Sequence, residues 1–113
     1  MEYQEKIEAV ERMQNFIEAH ITEPITLHML ADAAGYSPWH SARIFKALTG
    51  KAPFEYIRAL RLSRAAVKLR DEGAKIVDVA FDFVFGSHEG FTRAFSKEFG
   101  MTPQKTSARI PHR

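Results

Sequence analysis

The 113-residue chain contains no cysteine. That absence excludes disulfide bonds and thiolate metal sites, and it fits a reducing compartment. Long apolar runs are missing as well: no stretch approaches the roughly 18 residues that a membrane span requires. The N-terminus, MEYQEKIEAVER, is acidic and amphipathic where a secretory leader would be basic and then apolar, so the expected location is the cytoplasm. No segment alternates cleanly between apolar and polar residues, which predicts an all-α fold. His20, His28, His40, His88 and His112 form no i, i+4 pair on a helix and have no carboxylate pair nearby in metal-ligand spacing. Neither a metal nor a cofactor is expected.

Apolar material is plentiful, at 45% of residues with nine phenylalanines, enough for at least one compact core in a chain about one domain long. Charge is unevenly placed. Residues 1–36 hold two basic and seven acidic side chains, whereas the rest of the chain holds fourteen basic and seven acidic. The later two thirds therefore present either a surface for a polyanion or an ordinary solvated face.

Helix signals are frequent. Ile7, Val10, Met13, Phe16 and Ile17 recur at three and four residues and predict a helix over roughly 4–20. Thr26 is a plausible N-cap for a second helix that Gly35 closes, and Ser37 followed by Pro38 opens a third, about 38–49, stopped by Gly50. A longer helix is expected from Pro53 to about Asp71. Its core side is read as Tyr56, Ala59, Leu60, Leu62, Ala66, Val67 and Leu69, and its basic side as Arg58, Arg61, Arg64 and Lys68. Helices over Ile76–Phe83 and His88–Phe99 follow, with Gly100 ending the second and Pro103 introducing a last turn, about seven helices in all.

An internal repeat organises these elements. Ser37, Arg43, Phe45, Gly50 and Pro53 recur fifty positions later as Ser87, Arg93, Phe95, Gly100 and Pro103, and upstream of the serines the phase slips by one, ADAAGYS facing AFDFVFGS. Each copy is a short helix, a tight turn and a second helix that begins at serine: a helix-turn-helix, present twice. The expected organisation is an N-terminal helix-turn-helix subdomain (1–52), a linker helix (53–72), a C-terminal helix-turn-helix subdomain (73–108) and a tail (109–113).

Such a unit reads DNA by laying its second helix in the major groove, with long donors outward and free amides at the helix start available to phosphate. Trp39, Ala42, Arg43 and Lys46 fall within one stripe of the first such helix, opposite Ile44, Phe45 and Leu48; Trp39 is either exposed for DNA or core. In the second, His88, Glu89, Thr92 and Arg93 take the outward places, with Phe91, Phe95 and Phe99 inward. Contacts to the DNA backbone are expected from Ser37, His40, Lys46, Ser87 and Lys97. Arg61 and Arg64 serve either structural ion pairs with the acidic first third or phosphates. A linker of roughly 17 residues, about 26 Å long, suits two recognition helices near the roughly 34 Å repeat of the major groove. One chain would then read two half-sites of an asymmetric site.

The strings LADAAGYSPWHSARIFKALTGKAPFEYIRALRLSRAAVKL and IVDVAFDFVFGSHEGFTRAFSKEFGMTP resemble the AraC/XylS family of transcription regulators, in particular the short activators of the MarA, SoxS and Rob type. The likeness covers about Ile7 to Thr106. It implies a monomeric activator that binds an asymmetric double-stranded DNA site and contacts RNA polymerase. By the family's pattern Trp39, Ala42 and Arg43 match base-facing positions of the first recognition helix, and His88, Glu89, Thr92 and Arg93 those of the second. Three positions depart from that pattern. Ser41 replaces a core leucine, which predicts a looser first core. Val84 replaces a frequent turn glycine, so the second turn is expected to adjust. Thr106 replaces a tyrosine that normally helps dock the last helix. The tail SARIPHR shows no family pattern, which fits a piece of a longer regulator.

Adjacent Ser87, His88 and Glu89 bring together residue types found in hydrolytic sites, but neighbours at a helix start diverge by about 100° and cannot relay a proton from nucleophile to base to orienter. G-S-H-E-G also lacks the G-x-S-x-G spacing. Ser87 reads as an N-cap and Glu89 as a favourable first-turn charge, so no enzyme is expected. The remaining rival to a DNA-binding regulator is an all-α protein-interaction module whose basic face meets an acidic partner.

Overall fold

A computed structural model describes residues 2–108. Among these, seven helices and no strand are present: α1 (Glu2–Ala19), α2 (Leu27–Ala34), α3 (Pro38–Thr49), α4 (Pro53–Glu72), α5 (Ile76–Asp82), α6 (His88–Phe99) and α7 (Pro103–Ala108). The chain divides into two compact units between Arg58 and Ala59, a point that lies inside α4. The tail expected over 109–113 lies outside the described residues.

In the first unit α1, α2 and α3 pack on one another. Met13 and Ile17 of α1, Leu30 of α2, Phe45 of α3 and Ile57 of α4 are almost wholly buried. Burial of a side chain of this size contributes about 1.5–3 kcal/mol. Local chemistry fixes the helix ends: Thr26 Oγ1 accepts the Met29 amide at 3.2 Å, and Ser37 Oγ accepts the His40 amide at 3.1 Å. Caps of this kind stabilise by about 1 kcal/mol each. Gly35 closes α2 at φ +81°, a left-handed conformation that places its amide 2.8 Å from the Ala31 carbonyl.

That turn between α2 and α3 is fastened from outside by α1. Arg12 donates from Nε to the Ala33 carbonyl at 3.0 Å and from Nη2 to the Ala34 carbonyl at 2.7 Å. A cation here satisfies two of the carbonyls that the end of α2 leaves without helical partners, and it opposes the negative end of the helix dipole.

The second unit buries Phe91 and Phe95 of α6 with Val79, Ala80 and Phe83, while Pro103 at the start of α7 is also buried. Phe85 meets Phe91 edge-on at 5.1 Å between ring centroids. Lys68 of α4 lies 3.6 Å from Asp82 of α5.

Several expectations change here. On α4 the buried residues are Ile57, Leu62, Ala65 and Leu69; Tyr56, Ala59, Leu60 and Ala66 are half-buried, and Val67 is 44% exposed. Arg61 and Lys68 of the basic side are half-buried rather than fully outward. Phe99, expected inward, is 38% exposed, because it sits in the last turn of α6; its ring still lies 4.6 Å from that of Phe95. The second turn does not adjust to valine: Val84 itself takes φ +65°. Ser41 is fully buried and its hydroxyl has no hydrogen-bond partner. The last helix docks on α6 without a tyrosine at 106, where Thr106 Oγ1 instead donates to the Thr102 carbonyl at 3.3 Å.

Candidate DNA interface

Each candidate recognition helix is started and stopped by the same devices. Ser37 and Ser87 are in extended conformation and accept amides three residues on, Ser87 Oγ from Gly90 at 3.0 Å. Gly50 and Gly100 close the helices at φ +84° and +72°. The apolar side of each helix is held in its own core by Phe45 or by Phe91 and Phe95, and this fixes which side faces out.

On the outer side of α3, Trp39 is 67% exposed and the Arg43 guanidinium lies over its indole, 4.7 Å from the ring centroid. The contact restrains a long, flexible cation on the outer side of α3. Ala42 is half-buried and Lys46 exposed. Three of the expected backbone-contacting residues are engaged within the protein: the Ser37 and Ser87 hydroxyls serve the caps, and the His40 ring stacks on Tyr36 at 4.8 Å with Nε2 buried and unpartnered.

Trp39 and Arg43 also border a groove whose other wall comes from α1, through Tyr3 and Lys6, and which runs on to Ala47 and Leu48. Sequence reasoning missed both α1 residues. A signal existed, since Lys6 is one of only two cations before residue 37 and shares a helical side with Tyr3, three residues away. Arg12 was missed too, because an arginine that reaches the carbonyls of another helix leaves no local pattern.

On α6, His88, Glu89, Thr92, Arg93 and Ser96 line one shallow concavity, so all four expected base-facing residues come together. Glu89 and Arg93 are exposed, His88 is half-buried, and Thr92 is half-buried with its hydroxyl oxygen covered and unpartnered. Lys97 is exposed in the last turn. On α4, burial holds the Arg61 guanidinium below its ordinary pKa.

Comparison with known proteins agrees with this geometry. The profile of a helix-turn-helix domain family matches residues 30–109. The chain is 48% identical over 88 residues to the right origin-binding protein of Escherichia coli (strain K12), a match covering 78% of this chain and 30% of that one. With the regulatory protein SoxS of Salmonella typhimurium it is 36% identical over 101 residues, covering 89% and 94% respectively. A solved AraC-type transcriptional regulator from Chromobacterium violaceum superposes with a TM-score of 0.84 at 29% identity, covering 89% of this chain and 90% of its own. The chain thus spans less than a third of the first relative and nearly all of the second.

Proposed function

The chain belongs to the AraC-type helix-turn-helix family, and from that membership we propose that it is a sequence-specific regulator of transcription which reads duplex DNA with α3 and α6. The observation that carries the reading is the recurrence, fifty residues apart, of a serine-capped, glycine-closed helix with an apolar side locked in a core and an arginine outward, Arg43 in one and Arg93 in the other. Trp39, Ala42 and Arg43 face bases of one half-site; His88, Glu89, Thr92 and Arg93 face those of the other. Arginine forks onto guanine O6 and N7, Glu89 accepts from cytosine N4, and the apolar parts of Trp39, Ala42 and Thr92 meet thymine methyls. Lys46 and Lys97 neutralise phosphates, and the amides that begin α3 and α6 add to that attraction.

Because the two helices differ in sequence, the site is asymmetric and one chain fills two adjacent major-groove faces, so a monomer suffices. Activation through RNA polymerase belongs to the same reading by likeness to the family, as does work in the cytoplasm, where bacterial DNA is read. No helix among the described residues is long and apolar enough to cross a membrane. The test is competition: duplexes selected from a random pool are expected to displace a bound probe far more effectively than unselected duplex at equal salt. Equal displacement by both would leave only unspecific attraction to a polyanion and end the proposal.

A further inference from the structure

In the first unit the surface holding Trp39 and Arg43 continues beyond α3 into the groove walled by the first turns of α1. Tyr3 is 66% exposed there, Lys6 is half-buried, and the far end of the groove is Ala47 and Leu48. One wall therefore offers an ammonium and a phenol ring, and the other the Arg43 cation and the His40 ring beside the apolar Trp39, Ile44, Ala47 and Leu48. Two carboxylates of α1 border a different hollow from Lys6. Glu5 and Glu8 border a separate hollow with Arg12 and Tyr36, next to the turn, whereas Lys6 stands over the groove. Of the two cations before residue 37, Arg12 is spent on the carbonyls of Ala33 and Ala34. Lys6 pairs with Glu2 at 3.3 Å, whose side chain is largely exposed. Such a pair is weak and easily exchanged.

We propose that Lys6 and Tyr3 receive the sugar–phosphate strand that borders the base pairs read from Trp39 and Arg43, so that the first reading unit grips DNA with α1 as well as α3. The inference rests on the DNA-reading function proposed above. A helix lying in a major groove about 12 Å wide has a phosphodiester strand along each flank, and a strand on the α1 side enters this groove. Deoxyribose carbons pack against Tyr3 and Leu48. A phosphate takes Lys6 from Glu2, and lysine suits it as a compact point charge. Contacts of this kind set register and affinity without reading sequence.

The experiment measures the affinity of the whole chain for a selected duplex across a salt series, by fluorescence anisotropy. Lys6→Ala is expected to make the slope of log K against log salt shallower by about 0.9, the value for one lost phosphate contact, and to weaken binding several-fold by the same factor on every base variant of the first half-site. Lys6→Arg keeps the slope, and Tyr3→Ala weakens binding without changing it. Glu2→Gln, which releases Lys6, strengthens binding. An unchanged slope in Lys6→Ala overturns the inference, as does a loss that depends on the base at one position. If Arg43→Ala still weakens binding in that case, the contact through α1 fails alone; if the parent chain prefers no duplex, the DNA-reading function fails with it.

Discussion

Val84 holds a backbone angle, φ +65°, at which its Cβ crowds the neighbouring carbonyl, and its two γ-methyls make the crowding worse. The equivalent place in the first turn is Gly35, which takes φ +81° without that penalty. A non-glycine residue so placed costs on the order of 1–3 kcal/mol, and glycine returns part of the gain as extra freedom in the unfolded chain. Val84→Gly is therefore expected to stabilise the second unit by about 1 kcal/mol, read as a higher denaturation midpoint with an unchanged denaturant dependence. A lower midpoint would mean that the partly exposed valine contributes more by packing than it loses by strain. Ser41 is the matching irregularity of the first unit, a fully buried hydroxyl without a partner at the place that Phe91 takes in the second. Both were legible in the sequence as departures from the family's pattern; what the sequence did not reveal was that valine itself takes the left-handed angle.

At the scale of elements, the bounds of α3 and α6 were legible because serine, proline and glycine act locally: each cap is decided by atoms within four residues. The buried side of α4 was not. Ile57 is buried in the first unit, whereas Leu62, Ala65 and Leu69 are buried in the second, so the buried positions of α4 answer to two separate cores. A single helical wheel drawn over the whole helix assumes one core, and it assigns Val67, which is 44% exposed, to that core. Arg12 was illegible for a different reason, its partners being more than twenty residues away. Its two charge-assisted bonds hold the turn that aims α3, and Arg12→Ala should destabilise the first unit by about 1–2 kcal/mol, toward the lower end for bonds to a charged donor because one of them is solvent-exposed. Binding should weaken at the first half-site and not the second, and Arg12→Lys should not restore it, since one ammonium cannot replace a guanidinium fork. Equal losses at both half-sites would show that Arg12 supports general stability only.

For the whole molecule, the acidic first third and basic remainder describe a chain whose cations are concentrated after residue 37, five of them on α4 and two on each candidate reading helix. The function class was legible in the sequence because the repeat doubles every signal, so that an arginine ambiguous alone acquires a counterpart. The candidate site was only partly legible, because a wall supplied by α1 arises from packing and not from spacing. If each unit reads its own half-site, Arg43→Ala is expected to cost about 1–3 kcal/mol and to relax base preference at one half-site, and Arg93→Ala to do so at the other. Footprints in which both variants disturb the same half-site would rule out separate reading heads.

Trp39 is the only tryptophan in the chain, exposed on α3 beneath the guanidinium of Arg43. The protein consequently carries its own optical probe, placed on one reading head and absent from the other. Its ultraviolet emission responds to whatever displaces or covers that cation, and so separates the engagement of α3 from that of α6 without any label.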